Sequence, residues 1–429
     1  MNEQNFEFEN QSLVQGFNGV LNAVIPGEEY SVKPPTGPSK ELPKLSSREL
    51  AALYTTVFGE KLNSNKYSYQ SIAPIIGEGY IVKDVPFPTA NQLTDINICG
   101  IDASNQIIDM GSFYFIIARS SIVNFRYSKA GYDPSFYTKH RDASAVMVVD
   151  ANIFDPAVLR INTGLDLDIE SKNILKPIKR NRGHEPILVR YNPDSKNKSP
   201  SAHALGWAVK LQQVLELECL REVPIEGKTI CIKDGPLFST SVSIDDVVRG
   251  LSHVLSWEDK ILIACSNKVR DSTLLIELLQ QNGTFREAWF EGQNVTEDDI
   301  RSIGSDALLI PKILKPGQRT PLLEAVPRSR IAVVKEEPRF MPLTCYYYSR
   351  HRPHTFIRME IPKFMWEQYP ALVEEAITLV AWQHELGHKA PLVQMMAGQQ
   401  CQLQSEKHIL ERVTLARLSQ QGIEFPESY

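Results

Sequence analysis

Hydrophobic and polar positions follow two rhythms along this chain. From Ile96 the pattern is mostly β: Ile96–Asp102 predicts a short strand, and Gln106–Ile122 a longer one through Phe113-Tyr114-Phe115-Ile116-Ile117. A helical period predicts a helix from about Ala202 to Arg221, with Leu211, Val214 and Leu215 on one stripe. An α/β alternation comes next: a strand at Thr229–Asp234, a helix near Ile244–Leu255, a strand at Lys260–Ser266 and a helix at Ser272–Gln281. Two strands near Ile331–Lys335 and Thr344–Pro362 precede helices at Met365–Glu385 and Glu406–Gln420. Upstream, residues 31–46 hold four prolines and predict an extended linker, after which Ser46-Ser47 cap a helix through Arg48–Phe58. The resulting plan is an N-terminal helical and linker region (1–90), an α/β body (91–400) with an insertion at 125–200, and a C-terminal helix (401–429). No repeat of 20–50 residues interrupts it.

Composition narrows the function classes. The 429 residues are 42% hydrophobic and 23% charged, which excludes a wholly disordered or fibrous chain. A net charge of −5 argues against a uniformly basic protein that coats nucleic acid, yet residues 172–198 carry eight Lys and Arg against Glu185 and Asp194 alone. No run of 18 apolar residues predicts a membrane helix, and the acidic, polar start argues against a secretory signal. Six scattered cysteines with no CxxC pair read as buried, reduced thiols. A cytoplasmic protein is the expectation, with no membrane partner.

Three segments could carry chemistry. In Ile98-Cys99-Gly100-Ile101-Asp102-Ala103-Ser104 an apolar strand runs into a carboxylate, and Thr229-Ile230-Cys231-Ile232-Lys233-Asp234-Gly235-Pro236-Leu237 repeats the arrangement. Each Asp alone also suits a turn. Two such carboxylates meeting would repel unless a divalent cation lay between them, and phosphodiester cleavage by Mg²⁺ or Mn²⁺ uses such hard oxygen ligands. On the intervening helix, Glu218 continues the apolar stripe and Glu216 lies on its margin. The third segment, Ile261 to Lys268, ends on a Lys at a strand-to-helix turn, where it could meet a phosphate or simply face solvent.

Together these segments resemble the NurA nuclease family over roughly residues 95–400. Gly100-Ile101-Asp102-Ala103-Ser104 is similar to the family's first Asp-Gly-Ser motif, with Ala103 in place of Gly. Asp234-Gly235-Pro236-Leu237 is similar to its second, and Cys265-Ser266-Asn267-Lys268 to its Ser-Lys motif with one residue inserted. Arg358-Met359-Glu360-Ile361-Pro362 resembles the terminal-strand signature, and Gly387 to Pro391-Leu392 the later Pro-Leu segment. The resemblance implies an RNase H-like mixed sheet flanked by helices and a Mn²⁺- or Mg²⁺-dependent DNA nuclease. It also implies a homodimer stacked on a HerA-type hexameric ATPase, in DNA end processing, repair or defence against phage. Asp102 and Asp234 become metal ligands, the helical Glu falls on Glu216 or Glu218, and Lys268 neutralises phosphate. Where the family often has a His after the Pro-Leu, this chain reads Val393-Gln394-Met395-Met396.

Two other functions compete. His384-Glu385-Leu386-Gly387-His388 matches the H-E-x-x-H pattern of zinc metallopeptidases, with Glu406 or Glu411 as a third ligand. Against it, position 394 is Gln where a metzincin has a third His, and His384 continues the apolar stripe of Ile377, Val380 and Ala381. The other is a non-catalytic DNA-binding scaffold. Its phosphate contacts would be Lys176, Lys179, Arg180 and Arg182, with Arg350, Arg352 and Arg358 beside Tyr346-Tyr347-Tyr348, whose rings could stack on bases.

Overall fold

Continuous runs of buried residues, rather than strict alternation, mark the central strands, as expected where both faces of a sheet are covered. The computed structural model describes residues 69–412 apart from 76–77, 112, 128–134, 150–186, 193–198, 225–226, 239–240, 268, 270–271, 292, 388, 406 and 409–410. The predicted helix at 48–58, the part of the predicted helix 406–420 that lies beyond 412, and the basic run 176–182 lie outside the described residues; of 406–420, residues 407–408 and 411–412 are helical.

Two short strands, β1 (Tyr69–Pro74) and β2 (Lys83–Asp84), precede three long ones: β3 (Ile96–Asp109), β4 (Phe113–Tyr127) and β5 (Ser135–Val148). After β6 (Ile187–Arg190) the helix α1 (Pro200–Cys219) leads to β7 (Lys228–Asp234), and α2 (Ile244–Ser252) leads to β8 (Lys260–Ser266). A helical block follows: α3 (Leu274–Gln281), α4 (Gly283–Trp289), α5 (Glu297–Ile303) and α6 (Asp306–Ile313). Then come β9 (Gln318–Arg319), β10 (Leu323–Pro327), α7 (Ile331–Glu336), β11 (Pro342–Tyr348), β12 (Phe356–Pro362), α8 (Lys363–Gln368), α9 (Pro370–Leu386) and α10 (Leu392–Gln400).

Among the described residues the strands form one twelve-stranded sheet, ordered β1-β10-β11-β12-β8-β7-β3-β4-β5-β6 with β2 and β9 beside it. At its heart β3, β4 and β5 make an antiparallel meander, while β7 lies parallel to β3 and β8 parallel to β7. That order and those directions are RNase H-like. Both parallel additions are reached through a helical crossover, the connection that parallel neighbours require.

The differences from the sequence reading have physical causes. Residues 135–148, read as part of an insertion, complete the meander along the length of β4. Segment 331–335 is helix, not strand: a short apolar run does not distinguish the two, and Val333 and Val334 reach the core from a helical turn. The single helix expected at 365–385 is two, because Pro370 starts a new one. All six cysteines are free and buried, as expected.

Helix packing assigns the two faces of the sheet. Helix α1 lies against β3 and β4, and Cys219 Sγ is 2.9 Å from Ser120 Oγ. Ser120 pairs with Ala103, so Ile101 and Ala103 face α1, while Gly100 and Asp102 face the other side. Helix α10 covers that other side so closely that a Cβ at Gly100 would lie 2.3 Å from the Val393 carbonyl oxygen.

This approach predicts that Gly100→Ala destabilises the protein by about 1–3 kcal/mol, because backbone rather than a flexible side chain must move. Gly283→Ala, whose nearest neighbour would be Arg286 Nη2 at 3.8 Å, should be neutral or stabilising. Urea unfolding of the two variants checks this pair.

Candidate metal centre

The register of β3 and β7 sets Ile101 beside Lys233, with both strands parallel. The next residue on each is an aspartate, so Asp102 and Asp234 stand side by side on the α10 face, at a strand spacing of about 4.8 Å. Beyond Asp234 the chain turns sharply. Gly235 adopts φ 72°, a left-handed conformation that suits glycine, and its N–H donates to the Cys265 carbonyl at 2.9 Å. The Leu237 N–H donates to Glu360 Oε2 at 2.7 Å, and Arg358 pairs with Glu360 at 2.7 Å, so β12 braces the turn that carries the carboxylate.

Helix α10 roofs the pair. A Cβ at Gly398 would lie 2.5 Å from Asp102 Oδ2, so only glycine leaves that oxygen room. Gln394 Nε2 donates to Asp234 Oδ1, while Gln394 Oε1 is buried with no hydrogen-bond partner. From the other face α1 contributes Glu216, only 4% exposed, whose Oε2 lies 3.1 Å from Lys233 Nζ. Gln212 fixes this arrangement by donating to the Ala103 carbonyl at 2.7 Å and to Glu216 Oε1 at 3.4 Å.

Electrostatics tie the three acids together. The Asp102 carboxyl is pushed up to about 8, first by burial and then by the neighbouring Asp234 and Glu216 charges, against the Ala103 N–H and Lys233. Glu216 is also raised, by burial above all, with Lys233 pulling the other way. Among the described residues no three His, Cys, Asp or Glu side chains stand as a finished metal shell, since Glu216 is turned to Lys233 and Gln394 bridges to Asp234. The donor set nonetheless suits a hard divalent cation: carboxylate oxygens crowded by like charge, and a buried amide oxygen lacking a partner.

The structure separates the two glutamates. Glu216 is buried near Asp102 and Asp234, whereas Glu218 forms an ion pair with Arg221 at 2.9 Å. The stripe argument favoured Glu218 because it counted one apolar face. Leu217 and Cys219 are buried too, and Leu217 meets Gly250 of α2, so α1 is enclosed more broadly than a single stripe. Lys268 lies outside the described residues, shortly after the end of β8, as do Lys176, Lys179, Arg180 and Arg182. Sequence reasoning missed Lys233, although a lysine inside the apolar strand Ile230-Cys231-Ile232-Lys233 is itself a signal of a buried partner. It also missed the supporting roles of Gln212 and Gly398.

Of the arginines expected to track phosphates, Arg350, Arg352 and Arg358 are bound to the protein's own groups, although Arg350 is exposed. Arg350 donates to the Val85 carbonyl at 2.6 Å and lies over the Phe87 ring. Arg352 binds the Glu385 and Gly387 carbonyls at the end of α9, and Arg358 pairs with Glu360. Tyr346, Tyr347 and Tyr348 are at most 7% exposed, so their rings are packed away from any base.

Within the peptidase-like segment, His384 and Glu385 are committed to the protein's own packing. His384 is fully buried, neither ring nitrogen has a partner, and burial lowers its pKa to about 4. Burial would raise Glu385, but the Arg350 and His351 N–H groups and the Tyr347 and Ser349 hydroxyls outweigh it and hold its carboxylate below the usual range. A carboxylate so occupied closes the 349–351 turn rather than serving as a general base. His388 and Glu406 lie outside the described residues, and Glu411 lies 3.9 Å from His408.

No protein-family model matches the chain. No curated protein matches it either. Among solved structures, the NurA nuclease from Sulfolobus solfataricus aligns over 88% of this chain and 94% of its own, at 11% identity and a TM-score of 0.39. A second NurA structure aligns over 87% and 97%, at 8% identity and 0.39. NurA bound to dAMP and manganese aligns over 85% and 94%, at 9% identity and 0.34.

The Asp102 environment fixes a pH dependence. Between 3.8 and about 8 the folded chain keeps a proton there that the unfolded chain has released, so stability falls as pH rises through that window. Thermal melts in chelator should show this loss, at most about 1.4 kcal/mol per pH unit, and Asp102→Asn should flatten it. An excess of Mn²⁺ should also flatten the wild-type dependence, since a bound cation keeps the carboxylate ionised in the folded state.

Proposed function

We propose that this chain is a divalent-metal-dependent DNA nuclease of the NurA kind. One observation carries the reading: two aspartates share a face at neighbouring positions of the central parallel strands of an RNase H-like sheet, with a buried glutamate from the crossover helix beside them. The motifs that resemble the family in sequence supply the two aspartates, and the helical Glu that the resemblance implies falls on Glu216 or Glu218.

Asp102 and Asp234 would hold the ion, Mn²⁺ or Mg²⁺, with Glu216 close by. When bound, such an ion polarises a scissile phosphate and lowers the pKa of a water at neutral pH. The chain's own groups do the rest. Asp102 would give up its proton to hold such an ion. Gln394 keeps the Asp234 carboxylate aimed at the shared face, and α10 covers part of both acids. Lys268 is assigned to the phosphate, and the basic run Lys176, Lys179, Arg180 and Arg182 to guiding one strand of DNA, which makes activity fall steeply with salt. A homodimer acting with a HerA-type hexameric ATPase, on DNA ends in repair or in defence against phage, completes the proposal.

The test is digestion of end-labelled linear DNA in Mn²⁺. Asp102→Asn and Asp234→Asn should each slow cleavage by on the order of a hundredfold or more, with the fold retained by circular dichroism. Glu218→Gln should stay within about twofold of wild type, because its carboxylate is committed to Arg221 rather than to the aspartate pair. Cleavage that survives chelation, or that survives either aspartate change, overturns the reading. DNA retention with no cleavage under any metal favours the scaffold instead.

A further inference from the structure

Resting on the nuclease reading of the same site, a second conclusion concerns how many ions it takes. Lys233 is 2% exposed, and its ammonium is surrounded by oxygen. Nζ donates to the Asp234 carbonyl at 2.7 Å and to the Pro236 carbonyl at 3.4 Å, and it lies 3.1 Å from Glu216 Oε2. These oxygens come from the end of β7, the turn after it and α1, so the ammonium ties together the elements that carry two of the three acids. The opposite oxygen of Glu216 is held by Gln212, which leaves the carboxylate fixed on Lys233 rather than turned to the α10 face.

We propose that Lys233 is a built-in cation that takes the place of a second divalent ion, so that this centre holds one metal per chain. Charge supports it. Three carboxylates less one ammonium leave two negative charges, which one divalent ion balances. A second ion beside the ammonium would find no uncommitted carboxylate to receive it, since Glu216 is held on Lys233. Helix α10 adds none, because the residue that meets Asp234 is the neutral amide of Gln394. The two strand faces divide the work: the ammonium serves Glu216 on the α1 face, and Asp102 and Asp234 are left for the ion on the α10 face. Lys233 is a positioning residue here, acting on the site through Glu216.

The experiment counts bound Mn²⁺ on the full chain at neutral pH, by the loss of the free-ion paramagnetic resonance signal on titration. The expected result is one tight ion for wild type and two for Lys233→Met, which restores the third uncompensated carboxylate. The double change Lys233→Met with Glu216→Gln removes one charge of each sign and should return the count to one; it also guards against misfolding of the single variant. Lys233→Met that folds and still binds one ion overturns the inference. Two tight ions in wild type overturn it as well and leave the nuclease reading standing. No Mn²⁺ bound by wild type overturns both. Where Lys233→Met fails to fold, the wild-type count decides.

Discussion

Two carboxylates on adjacent strands, half-buried under a helix, are the constraint around which this protein is arranged. Asp102 and Asp234 arrive side by side because β3 and β7 are parallel and in register, and α10 then covers them. Such a pair is costly to ionise in a buried setting, which is why Asp102 holds its proton to about 8. A structure that maintains this repulsion in its centre, and braces it from several sides, is organised for a cation.

The bracing is distributed across the fold. Gly100 and Gly398 permit α10 to approach the sheet at backbone distance, so two missing side chains bring the roof onto the site. Glu360, held by Arg358, fixes the turn after Asp234 from β12, and Gln212 fixes Glu216 from within α1. The residues of the late strand that resemble a family signature therefore act at a distance. Glu360 among them contacts the backbone of the turn after Asp234. The same economy explains the arginines near 350, whose guanidinium groups fasten loops and a helix end to the body.

The sequence made β7 and its carboxylate end legible, because an apolar run that stops at Asp-Gly-Pro announces both the strand and its boundary; for β3 it marked the start but not the end, since pairing with β4 carries that strand past Asp102 to Asp109. Strand β8 and the crossover helices followed from their periodicity. Position 216 was not decided by pattern, since a helix enclosed on more than one side has no single stripe to read. Helix α10 was not read as an element at all: Pro391 stands just before its first turn, and Gly398 is a clearance for Asp102. Lys233 was passed over because its partner lies seventeen residues earlier on another element, and only the packing of α1 brings the two charges together.

The cation proposed to lie between Asp102 and Asp234 is the central claim, and anomalous scattering tests it most directly. A crystal soaked in Mn²⁺ and measured near the manganese edge should show a peak in contact with carboxylate oxygens of both Asp102 and Asp234. A strong peak elsewhere with none between these two residues, under soaking conditions that support DNA cleavage, would contradict the account.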